Sequence, residues 1–156
     1  MKNSKPIEFR LRKAWEVSVR GYDQPVFYFA ATAGKARIEA WRDLSDCSEL
    51  RIVDVVARRA SYRDVKLPIR DPIADLLSAK ESHCLLHAFG GNDNPIKAGY
   101  RDYFYTQRDD PTLVALTERG LMEPMAGDQW GENMTYFVMT KEGKRVALSM
   151  IPEYAR

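Results

Sequence analysis

The chain has 156 residues, of which 45% are hydrophobic and 29% charged; this ordinary globular balance excludes collagenous, disordered and membrane compositions. The longest apolar runs, such as residues 26–31, are far too short to span a bilayer. The polar N-terminus is not followed by an apolar stretch of the kind found in a secretory signal. A cytoplasmic protein without a membrane partner is therefore expected. The net charge of +2 divides unevenly: residues 1–70 hold 15 Lys and Arg against 9 Asp and Glu, a net +6, whereas residues 71–156 hold 9 against 13, a net −4. The first half is therefore the better candidate for an anionic partner.

The first predicted module, residues 1–62, is basic and has the element order ββαβ. Trp15, Val17 and Val19 alternate with polar residues, which is the period of a strand with one buried face. The third strand is a nearly continuous apolar run, typical of a central strand with both faces covered, and residues 1–9 are expected to be loose. The predicted elements are strands over residues 14–20 and 26–30, a helix from its N-cap Thr32 to about Asp46, and a strand over residues 50–57 that ends at Arg58 and Arg59.

A linker over residues 63–72, which contains two prolines, is predicted to join this module to a second one over residues 73–156. Glycines mark the ends of helices in the second module, and Asp110 followed by Pro111 marks the start of one. The predicted elements are helices over residues 73–89, 96–106 and 110–120, an extended segment from Leu121, a loop over residues 127–131, a strand over residues 135–140, and a closing helix over residues 141–150 capped by Thr140.

Part of the second module resembles winged-helix regulators of the MarR-like kind. In that family a recognition helix ends at a Gly-Leu pair, a β-hairpin wing follows, and Thr-x-x-Gly opens the next helix. The resemblance implies an α+β fold in which a winged-helix-like unit with a β-hairpin wing follows the ββαβ unit, and it implies a DNA-binding regulator. The residues that carry it are Leu113, Leu116, the pair Gly120-Leu121, Tyr136, Val138, Thr140 and Gly143.

The first module looks like small uncharacterised proteins encoded by phages and prophages. This resemblance implies a phage-type protein and carries no known activity with it. It rests on Tyr28, Ala30-Ala31-Thr32, Gly34-Lys35-Ala36-Arg37 and Trp41.

The helix in the place of a recognition helix departs from the usual chemistry of DNA reading. Such a helix normally presents Arg, Lys, Asn or Gln to base edges and basic residues to phosphates. Here Arg119 is the only cation, Glu118 stands beside it, and Asp109 and Asp110 precede the helix. Because an acidic face is repelled by the phosphate backbone, the winged helix is not predicted to be the surface that binds DNA.

No catalytic residues, metal ligands or cofactor are predicted. His83 and His87 are spaced i and i+4 on one helix, but the neighbouring Cys84 points about 100° away from His83, so the three do not converge on a metal. Half-buried packing is the simpler interpretation of the histidines. The chain also lacks a recognisable phosphate loop or paired carboxylates, and the two cysteines, Cys47 and Cys84, are predicted to be free thiols.

A basic patch is predicted at one edge of the N-terminal sheet. If the first and third predicted strands are antiparallel neighbours, the residues before the one lie near the residues after the other. The patch can contact phosphates or an acidic protein surface; alternatively, it is a solvated edge that discourages sheet-to-sheet aggregation. Its residues are Arg10, Arg12, Lys13, Arg58, Arg59 and Arg63.

Two functions remain open from the sequence. The first is a non-enzymatic, phage-type accessory or regulatory protein that binds nucleic acid through the basic N-terminal edge. The second is a protein–protein interaction module, for example an inhibitor of a host complex, that uses the acidic winged-helix face with Trp130 and Arg119 as contact residues. The expected partner is nucleic acid in the first case and a host or phage protein in the second.

Overall fold

The computed structural model describes residues 8–46, 49–127 and 133–155 and divides the chain into two compact units. The division falls between Leu67 and Pro68, within the segment predicted as a linker. Each unit combines helices with small β-sheets, so the α+β class predicted from the sequence is confirmed. Across the described residues, every helix is too short or too polar to cross a membrane.

The N-terminal unit contains one helix and five strands. Its main sheet has three antiparallel strands, with the strand that begins at Ala14 in the middle, and a separate two-stranded sheet pairs its first and last strands. Two short 3₁₀ turns, Ile52–Asp54 and Ser61–Arg63, precede and follow the fourth strand. The elements are β1 (Phe9–Arg12), β2 (Ala14–Val19), β3 (Val26–Phe29), α1 (Ala33–Ser45), β4 (Val55–Arg59) and β5 (Val65–Pro68).

Helix α1 covers one face of the sheet β3-β2-β4. Thr32 is its N-cap, as predicted, and accepts a hydrogen bond from the backbone N–H of Lys35 at 3.3 Å. Ala36 and Ala40 are fully buried, and their small side chains let the helix backbone approach the strands closely. The core of the unit consists of Val17, Val19, Ala30, Ala36, Ala40 and Val55.

The prediction of a central strand over residues 50–57 is wrong. The strand begins only at Val55 and is an edge strand, with Val53 and Val56 66% and 51% exposed. The preceding residues form a 3₁₀ turn, which Asp54 closes by accepting from the backbone N–H of Arg51 at 3.3 Å. Arg58 and Arg59, expected to follow the strand, are its last two residues.

Two strands lie where no strand was predicted. Strand β1 occupies part of the stretch expected to be loose, and β5 occupies part of the predicted linker over residues 63–72. The two strands pair with each other. Each is only four residues long, so neither carries enough alternation to be recognised without its partner.

Among its described residues, the C-terminal unit contains a 3₁₀ turn (Pro72–Leu76), three α-helices and three strands. Its antiparallel sheet has the order β6-β8-β7, so the last strand in sequence lies in the middle. The helices pack around a core rich in leucine and methionine, which includes Leu85, Leu113, Leu116, Leu121 and Met122. The elements are α2 (Ala79–Phe89), β6 (Tyr103–Gln107), α3 (Pro111–Glu118), β7 (Met122–Pro124), β8 (Met134–Met139) and α4 (Lys141–Met150).

The predicted helix caps of this unit are confirmed. Asp110 accepts from the backbone N–H groups of Thr112 and Leu113 at 2.9 and 3.2 Å, and Thr140 accepts from the N–H of Gly143 at 3.0 Å. Gly90 ends α2 in the left-handed conformation, with φ of 74°. These signals are local, because each donor lies within three residues of its acceptor.

Two predicted helices of this unit are wrong in extent or in type. The helix predicted over residues 73–89 is interrupted after the 3₁₀ turn, and α2 starts afresh at the N-cap Ser78. Ser78 and Glu81 form a reciprocal capping box, with backbone bonds of 2.7 and 3.2 Å. The helix predicted over residues 96–106 is absent; residues 103–107 form strand β6 instead, paired along its whole length with β8.

Candidate nucleic-acid interface

The start of β2 lies beside the end of β4, as the predicted basic patch requires. The two strands are antiparallel, with Trp15 opposite Arg59 and Glu16 opposite Arg58. The backbone N–H of Ala14 also donates to Asp64 at 2.9 Å. We call the segments 9–16 and 57–67 the basic end, because they hold seven basic residues and only two acidic ones, Glu16 and Asp64. The basic residues are Arg10, Arg12, Lys13, Arg58, Arg59, Arg63 and Lys66.

Arg59 and Arg12, two of the predicted contact residues, are engaged within the unit. Arg59 donates two hydrogen bonds to Asp64, at 2.6 and 2.5 Å, and a third to the carbonyl of Ala14 at 2.9 Å. Hydrogen bonding to Arg59 holds the pKa of Asp64 below its usual value. Arg12 is only 5% exposed. Both side chains therefore contribute to the structure of the basic end, whatever they contact outside it.

The other predicted residues differ in how far they reach solvent. Lys13, Arg58 and Arg63 are exposed, and Arg10 is half-buried. Arg58 lies on the edge strand β4 and Arg63 in the 3₁₀ turn that follows, so the two are separated by only a few residues of chain. Arg58 and Arg63 are thus two exposed cations of the basic end that lie close together in the chain.

The sheet face opposite α1 is open and contains both arginine and aromatic side chains. Alternation along the strands directs Trp15, Val17 and Val19 toward the helix and their neighbours to the other side. We call the side of the sheet away from α1 the open face. The residues whose side chains lie on it are Glu16, Ser18, Phe27, Val56 and Arg58.

The 3₁₀ turn Ser61–Arg63 places two further side chains at this face. The guanidinium of Arg63 lies over the ring of Phe27, 3.8 Å from its centroid. The ring of Tyr62 stands edge-on to Phe27, with 6.3 Å between the centroids, and its hydroxyl donates to Glu16 at 3.4 Å. Tyr62 is nevertheless 73% exposed, so a large aromatic ring with fixed neighbours is presented to solvent beside two arginines.

Neither Phe27 nor Tyr62 was predicted from the sequence to belong to this site. Phe27 was assigned only to a hairpin strand, and Tyr62, the last residue of the predicted module over residues 1–62, was given no role. The orientation of Phe27 could have been predicted from the alternation along residues 26–29. Because Tyr28 faces the helix, its two neighbours in the strand face away from it. A second cation–aromatic contact supports the pattern, since the ammonium of Lys66 lies 4.6 Å from the ring centroid of Phe9.

The residues predicted to bind a protein partner lie in the C-terminal unit. Arg119 donates to the buried carboxylate of Glu81 at 2.9 Å, so it has a structural partner in the capping box of α2. Trp130 lies outside the described residues. Asp110 is the helix cap described above, and Asp109 accepts from the side-chain amide of Asn133 at 2.8 Å.

His87 is half-buried, as predicted, but the prediction of half-buried packing is wrong for His83, which is exposed. His83 and His87 are nearly parallel, with ring centroids 6.3 Å apart, and His87 meets the ring of Phe104 edge-on at 5.2 Å. Burial raises the pKa of the Cys84 thiol, and Asp110 adds to the effect. In the part of the chain that the structure describes, no three His, Cys, Asp or Glu side chains group together as metal ligands would.

The outer face of the C-terminal sheet carries a row of tyrosines. Tyr136 packs between Tyr103 and Tyr105, with ring centroids 5.5 and 4.7 Å away. The two flanking rings are 43% and 36% exposed. An antiparallel sheet normally presents polar residues on its solvent side, so this aromatic row is a second candidate surface. It adjoins an open depression of about 400 Å³ lined by Asp102, Tyr103, Met125, Tyr136 and Val138.

Comparison of the chain with protein-family models, with curated proteins and with solved structures gave no match. The assignment of function therefore rests on the geometry of these surfaces.

Proposed function

We propose that this protein binds nucleic acid through the basic end of its N-terminal unit, as a non-enzymatic accessory or regulatory protein of the phage type. The observation that carries the proposal is the charge polarity of that end, where seven cations are grouped with two carboxylates. One of those carboxylates, Asp64, is already paired with Arg59. A strongly positive surface of this kind fits a polyanion, whose affinity comes mainly from phosphate contacts.

The chemistry of the exposed side chains also supports phosphate as the ligand. Arg58 and Arg63 carry planar guanidinium groups, which can donate two parallel hydrogen bonds to a phosphate. The contact of Arg63 with Phe27 restricts its side chain, so less conformational entropy is lost on binding. If the patch were only a solvated edge that discourages aggregation, the packing of the exposed Arg63 over Phe27 would remain unexplained.

The test measures fluorescence anisotropy of labelled random 20-nucleotide DNA, single- and double-stranded, across a series of salt concentrations. We expect affinity to fall steeply with salt, because each phosphate contact releases a counterion. Arg58→Glu with Arg63→Glu should weaken binding at least about 30-fold at low salt and reduce the salt slope by about two. Arg59 is not used, because a glutamate there would stand against Asp64 and endanger the fold.

Two further variants serve as controls. Lys35→Glu with Arg42→Glu makes the same charge change on exposed residues of α1, and we expect only a small loss of affinity from it. Glu16→Gln removes a negative charge from the open face while keeping an acceptor for Tyr62, so it should tighten binding about two- to five-fold. A folded Arg58→Glu/Arg63→Glu protein with unchanged affinity would overturn the proposal.

A second candidate function is a protein-interaction module in the C-terminal unit, and the tyrosine row favours it. Tyrosine is enriched at protein interfaces. The element order, with β8 between β6 and β7 and helices before and after, supports a winged-helix-like arrangement of this unit. A partner of the tyrosine row would be retained at 0.5 M salt and lost from Tyr103→Ser with Tyr105→Ser, whereas nucleic acid would be released by salt alone.

A further inference from the structure

We infer that the strand bound at the basic end is single-stranded, with bases stacked on Tyr62 and on the Arg63–Phe27 pair while phosphates contact the guanidinium N–H groups of Arg58 and Arg63. This inference rests on the proposed function and adds the class of nucleic acid to it. The observation behind it is the juxtaposition of exposed aromatic and cationic groups on one sheet face, opposite the helix that covers the other face.

Tyr62 is the first element of the argument. A ring that is 73% exposed gives little to the core, yet its position is defined by the edge-on contact with Phe27 and by the hydrogen bond to Glu16. An exposed aromatic ring contributes little to the binding of a phosphate. It can bind an unpaired base, because every base has a π-face that stacks on an aromatic side chain.

Arg63 supplies a second stacking surface. The Cζ atom of its guanidinium lies over Phe27, 3.8 Å from the ring centroid, and the residue is exposed. Unstacked bases pack on guanidinium planes as well as on aromatic rings. The bases of a duplex are covered on both faces by their neighbours, so neither Tyr62 nor Arg63 can stack on them.

The charges flank these stacking groups. Arg58 projects from the edge strand on the same open face, and Lys66 and Phe9 form another cation–aromatic pair in the same basic end. A groove or face in which cations alternate with aromatic rings is the arrangement that binds single strands without strict sequence preference. Phosphate contacts alone would favour duplex DNA, because its charge density is higher.

The first experiment compares four labelled 15-nucleotide probes at 50 mM salt: single-stranded DNA, single-stranded RNA of the same sequence, the DNA duplex, and a DNA strand with abasic sites in its central tract. We expect both intact single strands to bind tighter than the duplex, and the abasic strand to lose at least about five-fold. The DNA and RNA arms identify which single strand is preferred. Equal binding of intact and abasic strands would overturn the inference but leave the proposed function standing, whereas no binding of any probe would overturn both.

The second experiment tests the stacking ring itself. Tyr62→Ala should weaken single-strand binding at least about five-fold while leaving duplex binding and the salt slope unchanged, because it removes a stacking surface and no charge. Tyr62→Phe keeps the stacking ring and loses only the hydrogen bond to Glu16, so it should lose much less single-strand affinity than Tyr62→Ala. Tyr22→Ala removes another exposed tyrosine, from the hairpin turn, and should have no effect. Equal affinity of Tyr62→Ala and wild type for the single strand would overturn the assignment.

Discussion

The two units of this protein differ in the size and composition of their cores. The core of the C-terminal unit contains many large side chains, and Leu113, Leu116 and Phe137 among them are almost completely buried. The core of the N-terminal unit is smaller, and half of its six members are alanines. Large rings surround that small core and are only partly buried.

The half-buried rings of the N-terminal unit join the core to the backbone. The indole N–H of Trp15 donates to the carbonyl of Ala30 at 2.8 Å, and that of Trp41 to the carbonyl of Leu50 at 2.7 Å. Such rings remove apolar area from water while their polar atoms connect separate elements. Both indole rings pack on the α1 side of the sheet, so their packing leaves the opposite sheet face open.

The largest expected effect is on the close packing of the C-terminal unit. A methyl group at Gly143, in the first turn of α4, would lie 2.0 Å from the carbonyl oxygen of Leu121, a backbone atom. Gly143→Ala should therefore lower the free energy of unfolding by about 3 kcal/mol or more. Denaturant titration of the full chain measures this loss.

The same substitution in the N-terminal unit is the matched control. Gly34 occupies the first turn of α1, is exposed, and has no side-chain or backbone atom closer than 3.9 Å to the added methyl group. Gly34→Ala should be neutral or should stabilise the protein by up to about 1 kcal/mol. Equal losses from the two variants would contradict the contrast in packing between the units.

The features that the sequence predicted well are those with local causes. Thr32, Asp110 and Thr140 were identified as helix caps because each bonds to a backbone N–H two or three residues away. The charge asymmetry, too, is a property of sequence alone. The alternation in β2 correctly placed Val17 and Val19 in the core.

The errors occur where pairing between distant segments decides the structure. Tyr100, Tyr103 and Phe104 have helical spacing, but the segment Tyr103–Gln107 pairs with β8, and only that partner reveals that its alternate residues face opposite sides. The position of β2 between β3 and β4 is likewise a long-range fact, and it makes the apolar run near residue 53 an exposed edge.

The candidate site shows the same division between local features, which the sequence predicts, and features that depend on distant segments, which it does not. The six predicted basic residues do come from two segments that the sheet brings together. Their individual environments were not predictable, because the pairing of Arg59 with Asp64 and the stacking of Arg63 on Phe27 depend on the turn after β4. Tyr62 was missed for the same reason.

Truncation of a half-buried ring in the N-terminal unit should have a smaller effect on stability than Gly143→Ala. Trp41 packs on the core but also borders an open groove of about 480 Å³. A fully buried tryptophan would cost about 3–5 kcal/mol on truncation to alanine, so we expect a smaller loss, about 2 kcal/mol, for Trp41→Ala. Trp41→Phe keeps most of the apolar contact and removes the hydrogen bond to Leu50, for a loss of about 1 kcal/mol. A loss above about 4 kcal/mol for Trp41→Ala in thermal or denaturant unfolding would show that the ring belongs to the closed core.

The smallest effect appears at alkaline pH and belongs to the N-terminal unit. Partial burial, with a further contribution from the nearby Asp43, raises the pKa of Tyr28 to about 12. The ordinary pKa of tyrosine is about 10, so above that pH the unfolded chain loses the Tyr28 proton while the folded chain keeps it. The stability that this difference contributes is complete below pH 10 and is lost as the pH rises through the folded pKa.

We expect the free energy of unfolding of the wild type to fall by up to about 1 kcal/mol more than that of Tyr28→Phe between pH 9 and pH 11. The Phe variant is the proper control, because it keeps the ring against the core and shares every other titrating group. Absorbance titration of the folded protein should show one fewer late-ionising tyrosine in the variant. If the two proteins lost stability in parallel, Tyr28 would ionise as freely in the folded unit as in the unfolded chain. Its ring would then belong with the exposed aromatic rings and not with those that pack against the core.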